Sequence, residues 1–129
     1  MSRLLVTGAT GMLGQELVPL LLKAGHEVYA LSRKPHKSSR VHYVKGDVTQ
    51  PSLGIGRLEV DAVLHMAALT SLRERNKEDL FVQNYLGAQN AVHYCEEYKI
   101  KRLFYISTAY VCGTEIKVLR EERLPPVTK

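Results

Sequence analysis

Three glycines, Gly8, Gly11 and Gly14, stand at intervals of three directly after the short apolar run of residues 4–7. Residues 12–24 follow at once with apolar side chains at helical spacing. The pattern predicts a buried strand, a sharp turn at Gly8 and a helix that packs closely at Gly14. The free N–H groups of the first helical turn and the positive end of the helix dipole would then form a site for an anion.

The glycine spacing is a variant of the dinucleotide fingerprint, because it reads G-x-x-G-x-x-G where the usual pattern is G-x-G-x-x-G. Three glycines alone are weak evidence, but their place between a predicted strand and a predicted helix makes a dinucleotide the expected ligand. The residues expected to contact it at this turn are Gly8, Thr10, Gly11, Met12, Leu13 and Gly14.

The second predicted strand, residues 27–31, ends where a NAD-binding protein has an acid that holds the ribose. Ser32, Arg33 and Lys34 occupy these positions instead. A hydroxyl and a guanidinium bind the additional phosphate of NADP, whereas a carboxylate repels it. The sequence therefore favours NADP(H) over NAD, and the alternative is that the two cations belong to a solvated loop.

Other candidate residues follow the ends of the remaining strands. Asp47 and Val48 follow the third strand, residues 41–44, where they would contact the adenine; Asp47 equally fits a turn aspartate that caps its own backbone. The fourth strand, residues 61–66, and the fifth, residues 102–106, lead to Met66, Ala67, Ala68, Ser107 and Thr108. The three residues after the fourth strand equally fit core packing. His65 is interpreted as a packed, hydrogen-bonded histidine without a chemical role.

These elements predict an α/β, Rossmann-like doubly wound parallel sheet of order 3-2-1-4-5 that ends after strand five, one domain over residues 1–129. Residues 48–59 are expected to form a loop with at most one helical turn. A long helix is predicted over residues 77–98, with Asn84 tying it to the loop after strand four. Its buried stripe is predicted to be Phe81, Tyr85, Ala88, Val92 and Cys95.

Composition excludes several classes of protein. The net charge of +5 includes one basic run around Arg33, Lys34, Lys37 and Arg40, but no nucleic-acid-binding pattern accompanies it. No apolar run is long enough to cross a membrane, and because the first strand begins within a few residues of Met1, we expect no signal peptide. The two cysteines have no metal-like spacing and are expected to be reduced. We expect a cytoplasmic protein without a metal, a nucleic acid or a membrane partner.

The ordered motifs resemble the extended short-chain dehydrogenase/reductases. The resemblance is carried by residues 7–14, 46–48, 61–68, Asn84 and residues 107–113. Residues 51–55, 65–70 and 107–111 are most similar to the thioester reductase and fatty acyl reductase branch, and sugar-nucleotide epimerases and dehydratases are the close alternative. The resemblance implies that Thr108 holds the substrate carbonyl and that a Tyr-x-x-x-Lys pair completes the chemistry.

That pair is absent, because none of the seven tyrosines has a lysine four residues further on. Two hypotheses follow: the cofactor-binding part of an NADPH-dependent reductase, or a non-catalytic NADP(H)-binding regulatory module. An interaction module with a vestigial site is a weaker third. Binding without turnover is expected, with a small-molecule substrate only if a C-terminal part exists. Strand five would leave an exposed edge that favours self-association.

Overall fold

The structure is a computed structural model that describes residues 1–34, 36–66 and 81–106. Five strands form one parallel sheet in the order β3-β2-β1-β4-β5, and this confirms the predicted topology. The strands are β1 (Arg3–Thr7), β2 (Glu27–Ser32), β3 (His42–Lys45), β4 (Ala62–His65) and β5 (Arg102–Tyr105). The helices are α1 (Met12–Lys23) and α2 (Gly87–Glu97). A single 3-10 turn occupies Pro51–Gly54, as expected for this loop.

Alternating side chains of the central strands supply two cores, one on each face of the sheet. On the first face, Leu4 and Val6 of β1 pack with Val18 of α1. On the other, Leu5 packs with Tyr94 and Cys95 of α2. Because β1 is covered on both faces, its three central residues, Leu4, Leu5 and Val6, are all apolar. Each fully buried leucine or valine contributes about 1.5–3 kcal/mol.

The predicted buried stripe of the long helix is confirmed at Cys95 and wrong at Tyr85 and Val92, because most of the buried face lies one position earlier in the sequence. Tyr85 is 59% exposed and Val92 is 44% exposed. The buried residues of α2 are Gly87, Ala91, Tyr94 and Cys95. One position corresponds to about 100° around a helix. Tyr94 lies on this buried face: its ring is fully buried, and its hydroxyl donates a hydrogen bond to the Gly56 carbonyl at 2.8 Å.

The described part of the predicted long helix begins with a π-helical turn, Phe81–Leu86, that leads directly into α2. Asn84 lies in this turn and is half-buried. The loop to which it was predicted to bind lies outside the described residues.

The strand β5 lies at one edge of the described sheet, and its side chains Phe104 and Tyr105 are exposed. Self-association through this strand stays a prediction.

Candidate functional site

The glycine turn has the predicted backbone geometry. Gly8 has a φ of 76°, and the Gly11 N–H donates a hydrogen bond to the Gly8 carbonyl at 3.1 Å. A Cβ on Gly14 would lie 2.5 Å from the Gly8 oxygen and 2.4 Å from the Ala9 oxygen. The absence of a side chain at Gly14 thus allows α1 to begin directly against the turn rather than against the strand itself.

The start of α1 is left without a protein cap. Gly11 is its N-cap residue, no side chain hydrogen-bonds there, and the first turn has no acidic residue. The nearby Gln15 amide instead donates to the Thr10 carbonyl at 3.1 Å. A Cβ on Gly11 would meet only the Gly8 oxygen, at 3.4 Å. Backbone N–H groups of the first turn and the helix dipole therefore remain for an anionic ligand that approaches the turn closely.

A cleft of about 400 Å³ lies at the carboxyl ends of β1, β2 and β3. Most of the described residues that the sequence singled out meet there. Its lining consists of Thr7, Gly8, Thr10, Leu31, Ser32, Arg33, Lys34, His36, Gly46, Asp47 and Val48. The cleft thus joins the glycine turn to the ends of the second and third strands, which is where ligands bind in sheets of this topology.

The basic rim of this cleft is formed by the turn that follows β2. The Ser32 hydroxyl donates to the Lys34 carbonyl at 2.8 Å and accepts the Lys34 N–H at 3.2 Å. This local turn leaves the side chains of Arg33 and Lys34 exposed at the rim. Because the Ser32 proton is already engaged, the predicted phosphate contact from this residue would depend on opening its turn. Of the three residues predicted to bind the phosphate, Arg33 and Lys34 are the two whose side chains are exposed at the rim.

Asp47 adopts the turn-capping role that the sequence left open. Its Oδ1 accepts hydrogen bonds from the Thr49 N–H at 2.9 Å and from the Thr49 hydroxyl at 2.8 Å. The carboxylate nevertheless lines the cleft, so the predicted contact to an adenine amino group stays a prediction.

Val48 contacts α2 through its backbone and its side chain. The Asn90 amide donates to the Val48 carbonyl at 2.8 Å, and a Cβ on Gly87 would lie 3.0 Å from the Val48 side chain. Val48 itself is buried beside the cleft. Asn90 therefore fixes one wall of the site. The sequence did not predict this role of Asn90. Its position beside Ala91, on the buried face of α2, was the one feature that could have indicated it.

At their carboxyl ends, β1 and β4 are joined through side chains. A 2.7 Å hydrogen bond joins Thr7 Oγ1 to His65 Nδ1, and the Met66 N–H donates to the same Thr7 oxygen at 3.0 Å. His65 is 2% exposed, stacks on Tyr105 and has its pKa lowered by burial. The structure therefore confirms His65 as a packed, hydrogen-bonded residue. The backbone of Met66 is bonded to β1, and its predicted contact with the cofactor stays a prediction.

The predicted site is only partly within the described residues. Ala67, Ala68, Ser107 and Thr108 lie outside them. Met12 and Leu13 are exposed at the start of α1, and Asn84 and Met66 do not line the cleft. His36, which was not predicted as a site residue, does line it. Its ring lies 4.8 Å from that of Tyr43 on β3.

Two negative observations apply to the described ranges, 1–34, 36–66 and 81–106. No group of three or more histidine, cysteine, aspartate or glutamate side chains is placed to hold a metal ion there. Within the same residues, no helix has both the length and the apolar character that a membrane crossing requires.

Comparison with protein families gives a match over almost the entire chain. The model of the NAD dependent epimerase/dehydratase family matches residues 4–129. Similar curated proteins include a 3-beta-hydroxysteroid dehydrogenase from Mycolicibacterium neoaurum, 31% identical over 100% of this chain and 38% of that protein. A 2-alkyl-3-oxoalkanoate reductase from Stenotrophomonas maltophilia is 33% identical over 84% of this chain and 34% of its own length.

Solved structures show the same similarity. MoeE5, in complex with UDP-glucuronic acid and NAD, matches 96% of this chain and 42% of its own with a TM-score of 0.81 and 27% identity. The chain therefore spans less than half the length of the relatives and structures that it matches.

Proposed function

This chain belongs to the NAD dependent epimerase/dehydratase family, and on that basis we propose that it is the NADP(H)-binding part of a reductase. The proposed substrate is a carbonyl compound or an acyl thioester. The family supports binding of a nicotinamide dinucleotide. The preference for NADP(H) is our inference from the residues of the cleft. The reductive direction is our inference from the resemblance of residues 51–55, 65–70 and 107–111 to the reductase branch.

The observation that carries the cofactor preference is the charge at the end of β2. Arg33 and Lys34 stand at the rim of the cleft, and β2 ends in Ser32 rather than in an acid. A carboxylate there would hydrogen-bond the ribose hydroxyls of NAD and repel a phosphate. A guanidinium offers a planar pair of donors that fits a phosphate, and an ammonium adds a point charge.

The glycine turn fits the pyrophosphate of such a cofactor. The uncapped start of α1 offers backbone N–H groups, and Gly11 leaves room for close approach. Asp47 and Val48 stand where an adenine would lie at the end of β3. When bound, the cofactor supplies the hydride. The residues described above bind and orient it, and Thr108 is proposed to hold the substrate carbonyl.

The chemistry of turnover is proposed to lie outside this chain's own residues. No Tyr-x-x-x-Lys pair occurs in its 129 residues. A tyrosine with an ordinary pKa near 10 exchanges protons poorly at neutral pH unless a nearby cation lowers that pKa. We therefore expect these 129 residues to bind the cofactor without reducing a substrate.

A reversal of charge at the rim tests the cofactor preference. Arg33→Asp is compared with Lys37→Asp, which makes the same change of charge in the basic run at a residue that does not line the cleft. Fluorescence titration should show that wild type binds NADPH more tightly than NADH by about tenfold or more, and that Arg33→Asp abolishes this difference. Lys37→Asp should keep it. Equal affinities in wild type, or an unchanged preference in Arg33→Asp, would refute the proposal.

A second candidate is an NAD-dependent enzyme that acts on a sugar nucleotide. It is favoured by the likeness to MoeE5, whose structure contains UDP-glucuronic acid and NAD. The same titration separates the two candidates, because this one requires NADH to bind at least as tightly as NADPH.

A further inference from the structure

A second cavity of about 380 Å³ adjoins the main cleft near the carboxyl end of β3. Its lining consists of Arg33, Lys45, Gly46, Asp47, Gln50 and Gly54. Three of these residues, Arg33, Gly46 and Asp47, line both spaces. Arg33 thus contributes to the lining of both cavities, and a ligand that extended from one to the other would pass this residue.

Lys45 brings a further cation to this cavity. It is the last residue of β3 and the register partner of Ser32, the last residue of β2. The Gly46 N–H donates to the Ser32 carbonyl at 2.9 Å, and this bond holds the two strand ends together. The side chain of Lys45 is exposed and begins beside the residue at which the adenosine ribose is expected.

The charges around this cavity are not neutralised by ion pairs. In the part of the chain that the structure describes, all ion pairs involve Glu27 or Glu59, and neither Arg33 nor Lys45 takes part in one. The carboxylate that lines the cavity, Asp47, uses its Oδ1 for Thr49. The cavity is therefore electropositive on balance.

We propose that Lys45 is a second specificity-determining cation, which holds the 2′-phosphate of the cofactor together with Arg33. The inference rests on the proposed function, since it concerns the same cofactor. A phosphate monoester carries close to two negative charges at neutral pH and three acceptor oxygens. Ser32 cannot donate to it while its proton is bound to the Lys34 carbonyl. The ammonium group of Lys45 supplies a hydrogen-bond donor in place of the Ser32 hydroxyl, and it adds a positive charge.

The test is a titration of NADPH and NADH with Lys45→Gln, Lys45→Arg and the control Lys23→Gln. Lys23 ends α1 and lines neither cavity. For Lys45→Gln, the dissociation constant of NADPH should rise about fivefold, a modest loss because the site is exposed, and that of NADH should change less than about twofold. Lys45→Arg should restore NADPH binding. Lys23→Gln should leave both constants unchanged.

The inference would be overturned if Lys45→Gln kept the NADPH-to-NADH ratio of wild type, whether both dissociation constants stayed the same or both rose equally. If Arg33→Asp still abolishes the preference in that case, the proposed function stands and only the role of Lys45 fails. If wild type has no preference, the proposed function fails as well. Thermal melting of each variant separates loss of binding from loss of fold.

Discussion

Replacement of Gly14 by alanine tests how closely α1 must approach the glycine turn. The new Cβ would lie 2.4–2.6 Å from three backbone atoms of Gly8 and Ala9, where ordinary contacts begin at 3.4 Å. The helix must therefore retreat by about 1 Å, since backbone atoms cannot rotate away.

The magnitude follows from two opposing effects. Overpacking of this kind costs about 1–3 kcal/mol, and the upper value applies because all three neighbours are backbone. The better helix propensity of alanine returns up to about 1 kcal/mol. The free energy of unfolding should fall by about 2 kcal/mol, which lowers Tm by about 8 °C in a domain of this size.

The assay is a thermal melt followed by circular dichroism, with Gly11→Ala as the matched control. Gly11 has a φ of −76° and its Cβ would meet a single atom at 3.4 Å. Its stability should stay within about 1 kcal/mol of wild type. Its affinity for NADPH should nevertheless fall, because the methyl group occupies the approach to the turn. A Gly14→Ala chain that melts within about 2 °C of wild type would refute the reasoning.

Two further predictions concern buried polar groups. Burial raises the pKa of Tyr94 to about 12, so its hydroxyl stays protonated and donates to the Gly56 carbonyl. Tyr94→Phe should therefore lower the free energy of unfolding in urea by about 1 kcal/mol. An unchanged urea midpoint would contradict this. Burial lowers the pKa of His65 below 6.5 in the folded protein, so as the pH falls this histidine is protonated in the unfolded chain before it is protonated in the folded one. Stability should be highest above pH 6.5 and be lost as the pH falls from there towards the lowered pKa. His65→Asn should remove this part of the pH dependence, and equal profiles would exclude His65 as its cause.

Local chemistry explains what the sequence predicted well. Gly8 takes the positive φ that its turn requires, and Gly14 makes the close backbone approach that only glycine allows. The order of the sheet also follows from the alternation of apolar strands and helices. Each of these features is determined by residues close together in the chain or by general rules of handedness.

The rotation of α2 and the partners of the site could not be predicted in the same way. The stripe was right at Cys95 but missed Tyr94, which is fully buried and bonds to Gly56 across 38 residues. Asn90 bonds to Val48 across 42 residues, and no local pattern indicates such a partner. The Ser32 hydroxyl was expected to face a phosphate, but bonds to Lys34 in its own turn.

The dissociation constants of the unmodified chain for NADPH and NADH, measured at one ionic strength, test the central claim most directly. The charge at the end of β2 and the glycine turn predict that both bind and that NADPH binds more tightly by about tenfold or more. Equal constants would contradict the assignment of NADP(H), and the failure of both cofactors to bind would contradict the account of the cleft itself.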